Sequence, residues 1–335
     1  MQETHEILIV LKERFPMNKE LTPSQKIERS LDCEFKFNIW HKFIEALGEY
    51  QLVNDGDKVA VCISGGKDSM LLGLLFKHLK RYSKVHFDVE YIVMNPGYNE
   101  ENFSLIKKNL EIMDIPARIY FTDIFDIANS TSEKPCYLCA KMRRGALYRI
   151  AKEMGCNKIA LGHHYDDVIE TTLMNMLNSG SFQTMLPKLH STHFADMEII
   201  RPLYLVREED ILAFRDFNHL RFIQCACRFT ENCASAHSGV TSQRAATKAL
   251  IKKLKEEYSP VVEKNIFKAA SNVTLDKVLG YKENGIFHSY LDDYEEEGKR
   301  IHREIIESKL EEKVIEKAKR EHRPMQIDDT FSKKG

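Results

Sequence analysis

No segment of this 335-residue chain approaches the length of a membrane span, and no N-terminal run has the apolar core of a secretory leader. Both absences predict a soluble chain that works in the cytoplasm, with no membrane among its partners. There is no excess of one charge either. Forty-nine basic side chains stand against 50 acidic ones, so a nucleic-acid partner has to be met by a local basic patch. The eight cysteines do not read as a disulfide framework, because the chain is long and carries no leader. No internal repeat recurs along it, which excludes solenoids and propellers. What remains is ordinary globular composition, long enough for one large domain with appendages or for two domains.

The most informative stretch runs from Lys58 to Phe76. Val59 to Ile63 is apolar throughout and predicts a buried strand. A turn over Ser64 to Lys67 follows, then a helix whose apolar face starts at Met70. Two adjacent glycines let successive N–H groups point at one anion, and the following helix puts its positive end on the same spot. Lys67 adds a mobile cation, and Ser64 and Ser69 add hydroxyls. The competing reading is an ordinary strand-to-helix turn, but the Lys-Asp-Ser tail favours a phosphate cradle. It is not a Walker A loop, since Val61 stands where that motif needs glycine. The string Ser64-Gly65-Gly66-Lys67-Asp68-Ser69 resembles the loop of the PP-loop ATP pyrophosphatases. That resemblance implies that all six residues bind ATP, with Lys67 and Asp68 also catalytic candidates.

Around the loop, strand and helix patterns alternate. Strands are expected at Val59–Ser64, Val85–Met94, Ala117–Phe121 and Lys158–Leu161. Helices are expected from Lys67, over Glu100–Met113, Ala140–Met154 and Asp166–Leu177. This order implies an α/β fold with a doubly wound, mostly parallel sheet whose ligands sit at the carboxyl ends of strands. Phe37 to Leu52 reads as one amphipathic helix, preceded by an appended helix and a Pro-bearing break near Pro23. The expected division is a helical N-terminal extension (1–54), a PP-loop ATP-binding domain (55–274) and a charged helical C-terminal extension (275–335). Within the last, Ile301, Ile305, Leu310 and Val314 form a stripe for packing or for a partner.

Two cysteine clusters stand out. Cys136-Tyr-Leu-Cys139 precedes Arg143 and Arg144, and Cys225-Ala-Cys227 with Cys233 comes later. A C-x-x-C pair alone fits a metal half-site, a redox dithiol or chance, and inert buried thiols are the competing reading for both clusters. Together, three or four thiolates suit an iron–sulfur cluster or zinc and argue against magnesium or calcium at that place. Cys33, Cys62 and Cys156 stand in apolar settings and are expected in the core. Gly162-His163-His164-Tyr165-Asp166-Asp167 follows a strand and opens a helix. Adjacent carboxylates beside a phosphate cradle can hold Mg²⁺. Asp166 has the alternative of capping the helix, which leaves Asp167 as the better functional candidate.

Read together, several pieces resemble the TtcA-like tRNA 2-thiocytidine synthetase family of the PP-loop superfamily. They are Ser64–Ser69, Cys136-x-x-Cys139 with Arg143-Arg144-Gly145-x-Leu147-Tyr148-Arg149, Ile159 to Asp167, Arg201-Pro202-Leu203 with Arg207-Glu208, and Cys225. Order and spacing hold over roughly residues 35 to 275. The resemblance implies an adenine nucleotide α-hydrolase-like fold and a [4Fe–4S] cluster on Cys136, Cys139 and Cys225, with Cys227 and Cys233 as spare candidates. It implies ATP and Mg²⁺, with Gly162, His163 and Asp167 beside the nucleotide. It implies tRNA contacts at Arg143, Arg144, Arg149 and Arg201. The reaction implied is adenylation of the C2 oxygen of a cytidine at tRNA position 32, followed by its replacement with sulfur. The sulfur would come from a cysteine desulfurase or free sulfide, and a homodimer stays open. The chain departs from the family at Asn95-Pro96-Gly97, where Asn-Leu-Asp is usual, and at Cys225-x-Cys227, where Cys-x-x-Cys is usual. The alternatives are a PP-loop ligase, a thiolase for another base or small molecule, and a non-catalytic metal- and ATP-binding sensor.

Overall fold

The computed structural model describes residues 21–131, 135–192, 194, 196–223 and 243–320. Strand β1 (Lys58–Ile63) is buried at every residue but its first, as a central strand covered on both faces must be. It pairs in parallel with β2 (Asp88–Asn95) and with β4 (Lys158–Ala160). Strand β3 (Ala117–Phe121) extends the sheet beyond β2, and β6 (Glu198–Ile200) extends it beyond β4, both in parallel. Strand β5 (Lys188–His190) closes the edge antiparallel to β6. The order β3-β2-β1-β4-β6-β5 makes this the doubly wound, mostly parallel sheet that the alternation predicted.

The two-residue period of β1 builds two cores. Val59, Val61 and Ile63 face one side with Phe43, Phe76 and Ile106, whereas Ala60 and Cys62 face the other with Tyr148, Ala151 and Ile159. The covering helices are α1 (Pro23–Asp32), α2 (His41–Glu49), α3 (Lys67–Tyr82), α4 (Glu100–Ile112), α5 (Ile124–Thr131), α6 (Pro135–Glu153), α7 (Tyr165–Ser179), α8 (Glu208–Phe217), α9 (Gln243–Glu257) and α10 (Val262–Ala269). From β1 the chain steps out to β2 and β3, then returns to the other side of β1 as β4. The crevice of such a sheet therefore opens where β1 and β4 end.

Three expectations need correction. Pro23 does not break a helix; it starts one. Thr22 and Gln25 form a reciprocal capping box, and proline's missing N–H costs nothing in the first turn. The helix expected over Phe37–Leu52 is interrupted by a wide π-turn, Lys36–Trp40, where the N–H groups of Ile39 and Trp40 share the Phe35 carbonyl at 3.0 and 3.1 Å. That extra residue buries Phe35 and Ile39 and leaves Phe37 outside. Cys33 is exposed, because it falls at the C-cap of α1 and not on its buried stripe.

Lys158 sits in a deep charge cluster at the start of β4. Its side chain is 2% exposed and bridges Asp57 at 2.9 Å and Glu198 at 3.1 Å. We expect Lys158→Met to lose about 3 kcal/mol in urea unfolding, since it takes the cation from the enclosed Asp57, while Glu198 keeps Lys188 at 3.4 Å. Burial acts to raise the Asp57 carboxyl, but Lys158 and hydrogen bonds from Asn54 and Asn157 outweigh it and hold it below the usual range. A depressed carboxyl stabilises above its unfolded pKa of about 4 and loses that contribution as pH falls further. The variant's stability should therefore fall less steeply with acid than the wild type's.

Among the described residues, 271–320 belong to a separate compact unit. A hairpin, β7 (Gly280–Glu283) and β8 (Ile286–Ser289), turns at Asn284-Gly285 with both residues at positive φ. Helix α11 (Tyr294–Arg320) follows, and its stripe of Ile301, Ile305, Leu310 and Val314 is exposed.

Candidate functional site

Ser64 leaves β1 directly into the crevice. Gly65 has φ +85°, and a Cβ there would meet Ile106 Cγ1 at 2.5 Å, so only glycine fits. Gly66 caps α3 in an extended conformation without any side-chain acceptor, so the first-turn N–H groups of α3 stay available to an anion. The Ser69 hydroxyl holds the loop together from within. It donates to the Gly66 carbonyl at 3.0 Å and accepts from Ser64 N at 3.1 Å. Its hydrogen is thus committed to the loop, and the Ser64 hydroxyl, 3.0 Å away, donates to the Ser69 oxygen. Asn95 builds a second turn at the end of β2, its Oδ1 accepting from Gly97 N at 2.9 Å and Tyr98 N at 2.7 Å.

Lys67 Nζ lies 3.1 Å from Asp68 Oδ1 and 3.1 Å from Glu208 Oε1. Burial acts against its charge, but these two carboxylates outweigh burial and keep the ammonium protonated. His164 caps α7: its ring accepts from Asp167 N, and Asp167 Oδ2 accepts from His164 N at 3.1 Å. Asp166 therefore neither caps the helix nor faces the loop. Arg207 forks onto it, with Nη2 at 3.0 Å, and it accepts from Glu208 N at 2.7 Å. The reason is geometric, since successive helical residues point about 100° apart and cannot present both carboxylates to one ion on one face. Asp167 alone faces the cradle, where Arg244 Nη1 neutralises it at 2.5 Å.

Two spaces share the loop. A pocket of about 300 Å³ at the ends of β1 and β4 is lined by Ser64, Met94, Arg143, Gly162, His163 and Asp167. A cleft of about 910 Å³ opens on the other side, along Gly66, Lys67, Asp68, Glu208, Arg215 and Phe222. Burial and the Arg201 charge draw the His163 imidazole down to about 4, so it is neutral at pH 7. Its Nδ1 is buried with no hydrogen-bond partner among the described residues, and the residue lines the smaller pocket. Gly162 packs on the loop backbone, where a Cβ would stand 3.0 Å from Ser69 N. Gly162→Ala must push that backbone by a few tenths of an ångström, and we expect ATP to bind about tenfold more weakly by calorimetry.

The remaining candidates divide. Arg143 lines the smaller pocket, while Arg144 and Arg149 are exposed on α6. Arg201 is largely enclosed and donates to the Leu186 carbonyl, so it does not join the exposed pair. Cys136 falls in the first turn of α6 and Cys139 one turn further on, half-buried against the main core. Cys225, Cys227 and Cys233 lie outside the described residues. Burial pushes the Cys62 thiol up to about 12 and the Cys156 thiol up to about 11, as inert core residues require. No group of three or more metal-ligating side chains occurs among the described residues, and no helix there could cross a membrane. Glu208, Arg244 and Lys248 were not among the sequence candidates. The signal for the last two was their spacing, one helical turn apart on α9.

A glycine cradle of this kind, at the switch point of a parallel sheet and outside the Walker pattern, defines a PP-loop nucleotide-using enzyme. The family model described as a PP-loop domain matches residues 38–228. The tRNA-cytidine(32) 2-sulfurtransferase of Geotalea uraniireducens is 36% identical over 231 residues, covering 68% of this chain and 88% of that one. The enzyme of the same name from Paraburkholderia phymatum is 34% identical over 244 residues, covering 71% and 69%. The U34-tRNA thiolase NcsA of Methanococcus maripaludis, solved with its [4Fe–4S] cluster, shares the fold at a TM-score of 0.56 and 22% identity, covering 72% of this chain and 78% of that one. The chain belongs to the tRNA-cytidine(32) 2-sulfurtransferase family of PP-loop proteins.

Proposed function

We propose that this protein is an ATP-dependent tRNA sulfurtransferase that exchanges the C2 oxygen of a cytidine at tRNA position 32 for sulfur. The observation that carries the reading is the cradle of Ser64 to Ser69, open at the α3 N-terminus, in a chain of this family. The first-turn N–H groups and Lys67 hold the leaving phosphates, where negative charge develops as pyrophosphate departs. The C2 oxygen attacks the α-phosphorus, forming a P–O bond as pyrophosphate leaves. A sulfur nucleophile then adds at C2, the C–O bond breaks, and AMP leaves with the original oxygen. Asp68 orients Lys67, and the neutral His163 and Gly162 border the nucleotide. Asp167 is the carboxylate that fits Mg²⁺, because one carboxylate beside ATP phosphates meets that ion's usual demand, and Arg244 keeps Glu170 as a partner if the ion takes its place at Asp167.

Positions 136 and 139, one turn apart at the start of α6, suit two ligands of a sulfur-bound metal group, with Cys225 as the third. A [4Fe–4S] cluster there would supply activated sulfur; zinc is the less fitting alternative. Arg143, Arg144 and Arg149 share α6 with the cysteines and would meet tRNA phosphates, with Arg201 fixing the neighbouring wall. Affinity for tRNA should then fall steeply with salt. The chemistry would lie within residues 55–274, in the cytoplasm, with a cysteine desulfurase or free sulfide as donor. The test is air-free incubation with tRNA, ATP and labelled sulfide, followed by nucleoside mass spectrometry. Labelled 2-thiocytidine with equal AMP and pyrophosphate is the expected result. Label in another nucleoside would overturn the cytidine assignment, and no label in RNA would overturn the sulfurtransferase.

A further inference from the structure

Glu208 is the first residue of α8, and its two oxygens serve different cations. Oε1 lies 3.1 Å from Lys67 Nζ, and Oε2 pairs with Lys248 Nζ of α9. The side chain is 18% exposed. Burial acts to raise its pKa, but the hydrogen bond from Lys248 and the charge of Lys67 draw it down to about 2. It is therefore ionised throughout the working range. Its backbone is fixed as well, since Glu208 N donates to Asp166 Oδ2 at 2.7 Å and Arg207 clamps the same carboxylate. Asp166 belongs to α7, whose cap is the His164–Asp167 pair beside the cradle. Glu208 is thus hung from one wall of the site and reaches across to the loop.

Lysine is a long, flexible point charge, and a phosphate loop gains little from one that wanders. Here Asp68 and Glu208 hold the same nitrogen at equal distance. We infer that Glu208 is the positioning residue of the cradle lysine, and that Lys248 balances its charge so that a polyphosphate can approach. This rests on the ATP reading above. An unbalanced carboxylate 3.1 Å from Lys67 would repel the ligand that Lys67 is there to hold. The other titratable and charged groups on the cleft with Lys67 are Asp68, with His164 Nε2 3.7 Å from it, then His219 and Arg221, and finally Arg215 and Asp216. The last two pair with each other at 2.7 Å.

The experiment compares wild type, Glu208→Gln, Lys248→Met and the double variant. It measures ATP affinity by calorimetry and pyrophosphate release at saturating ATP against pH. Glu208→Gln should hold or tighten ATP affinity yet release pyrophosphate about tenfold more slowly, because the lysine is no longer placed. Its alkaline limb should move to lower pH, since Lys67 loses one of the carboxylates that keep it charged. Lys248→Met should weaken ATP binding several-fold, and the double variant should regain wild-type affinity while staying slow. A wild-type rate with an unmoved alkaline limb in Glu208→Gln overturns the inference, as does loss of affinity and rate together. Lys248 is 56% exposed, so its replacement leaves the core intact. Should Glu208→Gln not fold, unchanged ATP affinity in Lys248→Met is the overturning result. If the wild type binds no ATP, the proposed function fails first, and that outcome is read before any variant.

Discussion

Lys67→Ala should release pyrophosphate about two to three powers of ten more slowly than the wild type, with an unfolding midpoint close to the parent's. The size follows from removing one fixed donor aimed at developing phosphate charge. The intact fold follows from what the truncation leaves behind. Glu208 keeps Lys248 as its partner, and Asp68 keeps His164 nearby. Lys67 itself is 21% exposed on the first helical turn, so no buried cavity opens. Asp68→Ala should act in the same direction through the lysine it helps to place. Pyrophosphate release within twofold of wild type by Lys67→Ala would remove the cradle from the chemistry.

Much of the fold was legible because its signals are local. The apolar run of β1, the paired glycines and the Met70-led helix specify a strand, turn and helix without reference to anything distant. Strand β3 and helix α4 were bounded by the same local patterns. What escaped was decided at long range or by fine geometry. Glu208 looks like any acidic residue at a helix N-terminus, and only the fold brings it to Lys67, far away in sequence. Arg244 and Lys248 reach Asp167 and Glu208 in the same way. The capping alternative for Asp166 falls to His164, a residue with no strong N-cap preference, while Arg207 reaches Asp166 from far along the chain. Pro23 was read as a breaker, although Thr22 and Gln25 around it spelled out a helix start. The π-turn at Lys36–Trp40 has no composition signal, since it records how Phe35 and Ile39 both reach the core.

The cysteine at position 139 carries the other large effect. Cys139→Ala should purify without iron or colour under air-free conditions and should make no thiolated tRNA, yet bind ATP like the wild type. The first half follows from the ligand count. If Cys136, Cys139 and Cys225 hold the cluster, three thiolates are the fewest that retain it with one iron open, and losing one leaves a two-ligand site. The second half follows from the architecture. The cradle is made by the end of β1, the first turn of α3 and Lys67, and Cys139 lines neither of the two spaces beside it, so its anion site survives the change. Cys139 is half-buried against the core, and trimming it to Ala should cost only about 1 kcal/mol, too little to unfold the chain. Cys227→Ala and Cys233→Ala should keep their iron, and either would lose thiolation only if it relays sulfur. Iron analysis beside an ATP titration separates these cases. Full iron in Cys225→Ala, with iron lost from Cys227→Ala or Cys233→Ala, would move the third ligand. Full iron and full thiolation in Cys139→Ala would remove α6 from the metal site, and the sulfur chemistry proposed for it would fall with that result.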